Sequence, residues 1–496
     1  MSSNGKKKTN KRTVTLLAVL AVILLLGGAL AFLLLGGGGE GDNTSSVISD
    51  SEDAKYLITD KKAEDVKSVT VSNTKGTYNI TKSGDSFTIS SYLSDTGETV
   101  TIPSDVIFTS SAVKYVVDSL FSATITGTIE NGADNLALYG LQDPFCKVDV
   151  AYADGSSFTF SIGNEAPDTT NYYVYNPATK EVGLIAKTSL TRLTVEKEDF
   201  VDLTLIPSQE SNEQYFEKIV LAGTSRPEPI VLEPILKESD SSDDTAALIS
   251  SGYQMVSPRQ MEVDSNNATA VTTSPWGLQA SDAIYIMPTE DQLVETGLAE
   301  PFSTLTLTFG GNTVELKLGN KNADGNYYCM TSKNNAIFIV NRGLVTWAEF
   351  KPFDLYYKLA CVPNIKTVSA VTVEFDGKTH RFDLTHGEDD TLTVKYNSNK
   401  EMDSEIFRSY YQLLISAKGE YEAAEIPEDA AVQMKYTYEY LDKSQPSVVE
   451  FKQINDRRYA ILLNGDVIYA VRAMYIDKVK TSLDQALAGE KVIITW

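Results

Sequence analysis

Histidine and cysteine are scarce in this sequence, and their scarcity limits the chemistry it can carry. Only two histidines, His380 and His386, and three cysteines, Cys146, Cys329 and Cys361, occur among the 496 residues. Metal sites need His, Cys or carboxylate at ligand spacing, and small disulfide scaffolds are dense in cysteine. The sequence therefore predicts no metal site and three unpaired, buried thiols. Apolar cores must then hold the fold together.

Motifs of catalysis are missing as well. The sequence contains no phosphate-binding loop, no dinucleotide fingerprint and no G-x-S-x-G nucleophile elbow. Ser111 and Lys114 match the S-x-x-K pattern of penicillin-binding nucleophiles, but neither S-D-N nor K-T-G follows, and a helix start explains them better. We therefore expect no catalytic residue, no cofactor and no enzymatic activity. A hydrolase site assembled from separated residues is the remaining enzymatic alternative.

Charge is distributed unevenly along the chain. The net charge is −24, yet residues 1–12 carry five basic side chains and no acid. Residues 13–35 follow without any charge, and this run is long enough to cross a bilayer as a helix. The remainder is strongly acidic, which disfavours nucleic acid as a partner.

The basic head fixes the expected orientation in the membrane. By the positive-inside rule, residues 1–12 form a cytoplasmic tail, residues 13–35 form a transmembrane signal anchor in contact with the lipid bilayer, and the C-terminal region is exported. A cleaved signal peptide is the alternative, but the apolar run continues through Phe32 to Leu35, past the Ala29–Ala31 cleavage pattern. We expect a single-pass protein of a bacterial cell membrane.

Residues 36–55 are predicted to be a flexible acidic linker. They begin with four glycines and contain no hydrophobic pattern that could fold. The acid clusters at 49–53 and 240–244 lack the glycine and the closing glutamate of an EF-hand loop, so ordinary solvation accounts for them.

The rest of the chain repeats itself with a period of about 150 residues. Gly140–Phe145 (GLQDPF) is matched by Gly297–Phe302 (GLAEPF), and each is followed by two alternating runs that end in Gly-Asn, at 163–164 and 319–320. Alternation of this kind predicts half-buried strands. Three similar strands, beginning at Val66, Phe216 and Val368, open the three copies. The third copy lacks the Gly-Leu signature.

Helices are predicted in the first and third copies, and a tight hairpin in the third. The apolar spacing predicts a helix over Ser111–Phe121 and another over Asp403–Ile415, with Asp403 or Ser404 as a candidate N-cap. Asn464-Gly465 between two alternating runs predicts a type I′ hairpin in the third copy. The sequence thus predicts an α+β fold of tandem modules dominated by antiparallel sheet, over residues 56–207, 208–363 and 364–496, with the last module degenerate.

A pair of tyrosines recurs in the first two copies, as Tyr172-Tyr173 and Tyr327-Tyr328. Successive residues of a strand face opposite ways, so we expect one ring of each pair in the core and one at the surface. An exposed tyrosine on a sheet can bind sugar or protein. These four residues are the candidate interaction surface, and cross-strand packing is the alternative explanation.

The sequence also resembles a known family. Tyr139-Gly140-Leu141 with Asp143-Pro144, the later Ile162-Gly163 and Tyr172-Tyr173 together resemble the domain of unknown function 4340 family. The resemblance covers about residues 56–207 well, and the middle copy through 297–328. It implies a membrane-anchored exported protein associated with ABC transporters of the gliding-motility type, and it supplies no catalytic residue.

These observations give two expectations of function. The first is a membrane-anchored extracytoplasmic accessory or scaffold protein, an auxiliary component of an ABC-transporter-type envelope complex with transporter subunits as partners. The alternative is a module that binds a cell-wall polymer or glycan.

Overall fold

Antiparallel sheet dominates the computed structural model, which describes residues 55–236, 248–388, 391–422 and 425–496. Three such sheets and a few short helices confirm the α+β class. The predicted cytoplasmic tail (1–12), anchor (13–35) and nearly all of the linker (36–55) lie outside the described residues. Within the described part, no helix is long and apolar enough to span a bilayer.

Sheet 1 is built from ten strands of the described chain. They are β1 (Lys55–Tyr56), β2 (Val66–Asn73), β3 (Gly76–Ser83), β4 (Ser86–Leu93), β5 (Thr99–Thr101), β6 (Thr124–Ile129), β7 (Cys146–Tyr152), β8 (Ser157–Glu165), β9 (Asn171–Asn176) and β10 (Glu181–Ala186). Their spatial order is β1-β6-β10-β9-β8-β7-β2-β3-β4-β5.

Sheet 2 has nine strands within the described ranges. They are β11 (Lys218–Ala222), β12 (Ile230–Leu236), β13 (Leu248–Ser257), β14 (Met261–Glu262), β15 (Asp282–Ile286), β16 (Ser303–Phe309), β17 (Asn312–Lys321), β18 (Tyr327–Thr331) and β19 (Asn334–Val340). Their order is β14-β13-β12-β11-β16-β17-β18-β19-β15.

Sheet 3 also has nine strands among the residues described. They are β20 (Val368–Phe375), β21 (Lys378–His386), β22 (Leu392–Tyr396), β23 (Lys400–Met402), β24 (Tyr421–Glu422), β25 (Val432–Tyr440), β26 (Ser447–Asn455), β27 (Arg458–Leu463) and β28 (Asp466–Arg472). Their order is β23-β22-β21-β20-β25-β26-β27-β28-β24.

The helices are short and amphipathic. They are α1 (Ser110–Ser122), α2 (Lys187–Leu190), α3 (Ser265–Thr272), α4 (Glu290–Glu295), α5 (Pro352–Leu355), α6 (Ser404–Ile415) and α7 (Ala473–Leu487). The helices predicted at Ser111–Phe121 and Asp403–Ile415 are confirmed as α1 and α6. Asp403 is the N-cap of α6, because its carboxylate accepts from the backbone N–H of Glu405 and of Ile406.

One order of elements recurs in all three sheets. A four-stranded meander comes first, then a helix and a single strand, and then a second meander. The first strands of the two meanders pair with each other, as β2 with β7, β11 with β16 and β20 with β25. The single strand pairs with the last strand of the second meander, as β6 with β10, β15 with β19 and β24 with β28, and in sheet 1 the two-residue β1 lies outside β6. Sheet 3 therefore shares its topology with the others, although it lacks their signature.

The chain enters each sheet at the same place, beside the residues that follow the helix. The N–H of Leu57 donates to Ala123 O (2.8 Å), that of Leu205 to Leu278 O (2.9 Å) and that of Ala360 to Ala417 O (2.8 Å). The three acceptors lie just after α1, α3 and α6 respectively. Each connection between sheets is thus held by backbone hydrogen bonds, and the buried apolar side chains of all three sheets form one continuous cluster.

Candidate functional site

The Gly-Leu signature ends a helical turn in both sheets that carry it. Gly140 and Gly297 have φ of 66° and 73°, a left-handed conformation that glycine adopts without steric cost. The next N–H, of Leu141 and of Leu298, donates to the carbonyl five residues earlier at 2.9 and 2.8 Å. Both leucines are buried. The signature therefore stops a turn and anchors it in the core.

The Gly-Asn pair that ends the second alternating run packs directly on this turn. A Cβ atom on Gly163 would lie 2.3 Å from the carbonyl oxygen of Tyr139, and one on Gly319 would lie 2.2 Å from that of Thr296. Asn320 strengthens the contact in sheet 2 by donating its backbone N–H to Thr296 O (2.7 Å). The Gly-Leu signature and the Gly-Asn pair, which are the most similar stretches of the repeat, therefore pack against each other.

The first tyrosine pair lies on β9, and both of its rings are half-buried. Tyr172 packs against Phe145 of the signature, with ring centroids 5.2 Å apart, and the ammonium of Lys187 lies 5.7 Å from its ring centre. Tyr173 packs against Tyr139 at 4.8 Å. The expected division into one core ring and one surface ring does not hold here, because the turn before the signature half-covers the outward ring.

The second pair lies at the corresponding place on β18. Tyr327 is buried against Phe302, its hydroxyl donates to Glu349 Oε1 (3.0 Å), and Lys321 lies 4.9 Å from its ring centre. Burial raises the pKa of the Tyr327 phenol. Tyr328 is half-buried. The two pairs belong to different sheets, and their role in binding stays a prediction.

The histidines occupy strand positions in sheet 3. His380 Nδ1 is hydrogen-bonded to Tyr396 Oη (2.9 Å), and its ring stacks on Phe375. His386 is the last residue of β21, and its Nε2 lies 2.8 Å from Val368 O. Within the described residues, no group of three or more His, Cys, Asp or Glu side chains is placed to hold a metal ion. The acid clusters at 49–53 and 240–244 lie outside the described residues.

The three cysteines are unpaired, as expected. Cys146 and Cys329 are buried, and burial raises the pKa of the Cys146 thiol to about 12. The prediction of burial is wrong for Cys361, which is half-buried in the connection between sheets 2 and 3.

A polar cleft of about 480 Å³ lies between sheet 1 and sheet 2. We call it the intersheet cleft. Sheet 1 contributes the start of β3, the end of β4 and residues 196–198, and sheet 2 contributes β15 and the turn into α4. Its lining is Lys75, Gly76, Thr77, Tyr78, Tyr92, Leu93, Ser94, Asp95, Glu196, Lys197, Glu198, Ile284, Tyr285, Ile286, Met287, Thr289 and Gln292.

Glu198 is a buried carboxylate in the wall of this cleft. It lies in the 3₁₀ helix Lys197–Phe200, which packs against β15, and only 8% of the residue is exposed. Its Oε1 pairs with Lys197 Nζ at 2.7 Å. Its Oε2 is buried and has no hydrogen-bond donor among the described residues. Buried carboxylate oxygens are normally satisfied, so Oε2 is an exception, although it is closed off from the open space of the cleft.

Further charges surround Glu198. Glu196 and Asp95 add two carboxylates to the lining, and Lys75 adds one ammonium group. Partial desolvation, followed by the charges of Glu198 and Asp199, raises the pKa of Glu196. Lys197 lies 4.5 Å from the centre of the Tyr92 ring, so its charge is already engaged on two sides. The cleft thus carries an excess of negative charge.

The opposite wall is irregular backbone of sheet 2. The register of β15 against β19 shifts between Ala283 and Tyr285, which leaves Ile284 as the extra residue of a bulge. Met287, which follows the strand, has φ of 49°, an uncommon conformation for a non-glycine residue. Both features lie on the side of β15 that borders the cleft. Bulges and strained residues of this kind concentrate at binding sites.

No pattern in the sequence predicts this site. Glu196 and Glu198 stand in a charged stretch, VEKEDF, whose acids look solvated. The burial of Glu198 results from β15, which comes more than eighty residues later in the chain. The only local signal was the apolar pair Val195 and Phe200 on either side of the charged residues, which does not distinguish a surface turn from a cleft wall.

The comparisons with known proteins bear on the repeat. Residues 99–301 match the family model described as domain of unknown function (DUF4340). This range runs from β5 through the first signature to Pro301 of the second, and it contains Glu198 and β15. No curated protein and no solved structure gives a significant match to the chain. The match over residues 99–301 confirms the resemblance to the domain of unknown function 4340 family that the motifs predicted.

Proposed function

We propose that this protein is a membrane-anchored extracytoplasmic accessory or scaffold protein of an envelope complex, with ABC-transporter subunits as its partners. In this proposal residues 13–35 cross the membrane and three tandem α+β modules stand outside it. The charge pattern of residues 1–35 supports the membrane location. The family's association with ABC transporters supports the choice of partner.

The scaffold role is supported by the side-chain hydrogen bonds that join neighbouring sheets. The side chain of Asn334, at the start of β19, hydrogen-bonds to Ile107 and Asp202 of the sheet 1 part of the chain. At the second junction, Arg259 donates to the carbonyl of Val467 at the start of β28. In both cases the last hairpin of one sheet docks on the chain just before the helix of the preceding one. Such junctions hold several surfaces at fixed spacing, as a scaffold requires.

Two exposed aliphatic side chains offer a contact surface for a partner. Leu138 is 66% exposed and Val294 is 61% exposed, and each lies in the helical turn that the Gly-Leu signature ends. Each sheet that carries the signature thus exposes one aliphatic side chain in the turn before its glycine, and a partner can contact both.

Co-purification tests the proposal. The full-length chain, tagged at its C-terminus and extracted with detergent, is expected to bring down an ATPase or permease subunit reproducibly. The double variant Leu138→Ser with Val294→Ser should lose that partner, and Leu441→Ser, which alters an exposed leucine of sheet 3, should keep it. Failure of the wild-type chain to retain any transporter subunit would refute the proposal. Protease added to intact cells should degrade the C-terminal part, and resistance there would refute the orientation.

A second candidate is a module that binds a cell-wall polymer or glycan. It is favoured by the half-buried rings of Tyr173 and Tyr328, which stand at equivalent strand positions and keep part of each ring accessible. Pull-down on peptidoglycan or teichoic acid should be lost in Tyr173→Ala with Tyr328→Ala. The control is Tyr115→Ala, which removes an exposed tyrosine of α1. Unchanged retention of the double variant would exclude these residues as the site.

A further inference from the structure

We infer that the outer edge of β23 in sheet 3 is a docking site for an extended segment of another protein, one that carries two adjacent bulky apolar residues. The inference goes beyond the proposed accessory role, because it rests on sheet 3 and its equivalents and needs no transporter partner.

At the first junction, the residues just before α1 are paired with the connector that leads to sheet 2. Phe108 and Val201 form an antiparallel bridge, and the N–H of Thr109, the N-cap of α1, donates to Phe200 O (2.8 Å). Phe200 and Val201 are both buried, at 0% and 3% exposure. The connector thus adds a short strand to the segment before the helix and places two adjacent apolar side chains there.

The second junction repeats this arrangement before α3. Val263 forms an antiparallel bridge with Tyr356, and the N–H of Asp264, the N-cap of α3, donates to Leu355 O (2.8 Å). Leu355 and Tyr356 are also buried, at 0% and 8% exposure. An extended segment with two adjacent apolar residues therefore covers the same place in both sheets.

Sheet 3 has the equivalent segment without a covering strand. β23 leads directly into Asp403, the N-cap of α6. β23 is an edge strand paired with β22, and among the residues that the structure describes no backbone carbonyl accepts from the N–H of Asp403. The chain after β28 forms α7 and then packs along α6, where the N–H of Val492 donates to Ser409 Oγ (3.2 Å). This edge is therefore open to a strand from outside.

A groove of about 210 Å³ lies beside this edge. We call it the β23 groove. One side is β23 with Asp403 and Ile406, and the other is the end of α7, residues 486–489. Met402, Ile406 and Leu487 supply half-buried apolar side chains to the lining. A strand edge for main-chain hydrogen bonds next to an apolar wall is the combination that β-strand addition uses.

The charges of the β23 groove favour a segment without acids. Glu401 and Asp403 line it together with Lys400, whose ammonium group already donates to Leu487 O (3.1 Å). An acidic segment would be repelled by the two carboxylates. Of the two connectors, the one that contains Leu355 and Tyr356 is the better guide to the occupant, because it carries fewer acids.

The residues before sheet 1 do not fit the groove, which argues against a second copy of this chain as the occupant. The chain enters sheet 1 at Leu57 as it enters sheet 2 at Leu205. Counted back from these positions, Glu52 and Asp53 stand where the first connector has its apolar pair, at residues 200–201. Two acids cannot supply that pair, so the occupant is a segment of a different protein.

Fluorescence anisotropy with the detergent-purified full-length chain tests the inference. The probe is a labelled peptide with blocked termini and the sequence of residues 353–359 (FDLYYKL), which has no net charge. The matched control peptide has serine at the positions of Leu355 and Tyr356. We expect the first peptide to bind at least about tenfold more tightly, because burial of two apolar side chains is lost in the second.

Two variants of the chain locate the site. Ala488 is exposed and lines the groove, so Ala488→Trp should fill the groove without disturbing the core and should weaken peptide binding about tenfold or more. Ala178→Trp, in the exposed turn between β9 and β10, is the control and should bind like the wild type. If Ala488→Trp does not fold, Met402→Glu places a charge in the same groove and should weaken binding as much.

Several results would overturn the inference. They are equal affinity for the two peptides, wild-type affinity in a folded groove variant, and no binding of the 353–359 peptide by the wild-type chain. Self-association of the wild-type chain in sedimentation velocity that Ala488→Trp abolishes would assign the groove to a second copy instead. Retention or loss of a transporter subunit has no bearing on any of these outcomes.

Discussion

The side-chain amide of Asn334 pairs with the backbone of Ile107 as a neighbouring strand would. Its Oδ1 accepts from Ile107 N (2.9 Å) and its Nδ2 donates to Ile107 O (3.0 Å), while a second Nδ2 bond reaches Asp202 O (3.2 Å). Asn334 is buried at the tip of the β18–β19 hairpin. One residue of sheet 2 thus hydrogen-bonds to three backbone groups in the segments before α1 and after sheet 1.

Replacing Asn334 by alanine should weaken the junction. The change removes three hydrogen bonds and leaves the N–H of Ile107 and the carbonyl of Asp202 without these partners, whereas Ile107 O keeps its bond from Asp202 N, so we expect a loss of about 1–3 kcal/mol. The measurement is the first urea unfolding transition, compared with that of Asn335→Ala. Asn335 is half-buried and its side chain makes a single bond, to Asp105. Equal stability of the two variants would contradict the role given to Asn334.

The close approach at Gly163 gives a second prediction. Alanine there would place a Cβ atom 2.3 Å from Tyr139 O, a backbone atom that cannot move without shifting the turn. We expect Gly163→Ala to cost about 2–3 kcal/mol, and Gly319→Ala to cost a similar amount at the equivalent place in sheet 2. Gly127→Ala is the control, since its Cβ would meet only Leu184 Cδ1 at 3.6 Å. A Gly163 variant as stable as Gly127→Ala in thermal unfolding would disprove this packing contact.

Local patterns were sufficient to predict much of the fold. The apolar spacing of α1 buries Val113, Val116, Val117 and Leu120, and the hairpin at Asn464-Gly465 has positive φ at both residues, as a type I′ turn requires. These features depend on neighbours in the sequence, and so they were predictable from it.

Features that depend on distant contacts were not predictable. Sheet 3 keeps the strand order of the two meanders without the Gly-Leu signature, and after α6 it packs Gly419 against the ring of Tyr469. The packing of Tyr173 and the burial of Glu198 likewise come from the preceding turn and from β15. Alternation along a strand indicates which faces differ, but it does not indicate what covers each face.

A buried arginine in sheet 2 leads to a third prediction. Arg226 is 6% exposed, and its N–H groups donate to carbonyls of Ala222, Trp347, Ala348 and Phe350 and to Ser303 Oγ. Burial lowers the pKa of its guanidinium to about 10. Arg226 joins the end of β11 to the segment after β19. In sheet 1, Asn73 makes the corresponding bonds.

Arg226→Met keeps much of the volume and removes every donor, so we expect a loss of about 3 kcal/mol. Arg457→Met, at an exposed turn, should change stability by less than about 0.5 kcal/mol. Chemical denaturation of the two variants side by side is the measurement. A loss in Arg226→Met no larger than that of the control would mean that the carbonyls find other donors.

His380 makes the stability of sheet 3 depend on pH. Desolvation, and then the charge of Lys378, lower the pKa of His380, against a smaller opposing effect of Asp484. Its Nε2 is buried without a hydrogen-bond partner among the described residues, so a proton there would have no acceptor. Because the folded pKa is below the unfolded value of about 6.5, the unfolded chain binds more protons in this range.

The stability contributed by neutral His380 is therefore complete above about pH 6.5 and is lost as the pH falls below that value. Urea unfolding at a series of pH values between about 7.5 and 5 should show a decline in the wild type that is shallower in His380→Gln. His386→Gln serves as the matched control, because the His386 ring is hydrogen-bonded to Val368 O at the other end of the same strand. We expect only the His380 variant to flatten the dependence of unfolding stability on pH. If the difference between wild type and His380→Gln is constant across the series, the ring has the same pKa in the folded and unfolded states and its burial has no effect on proton binding.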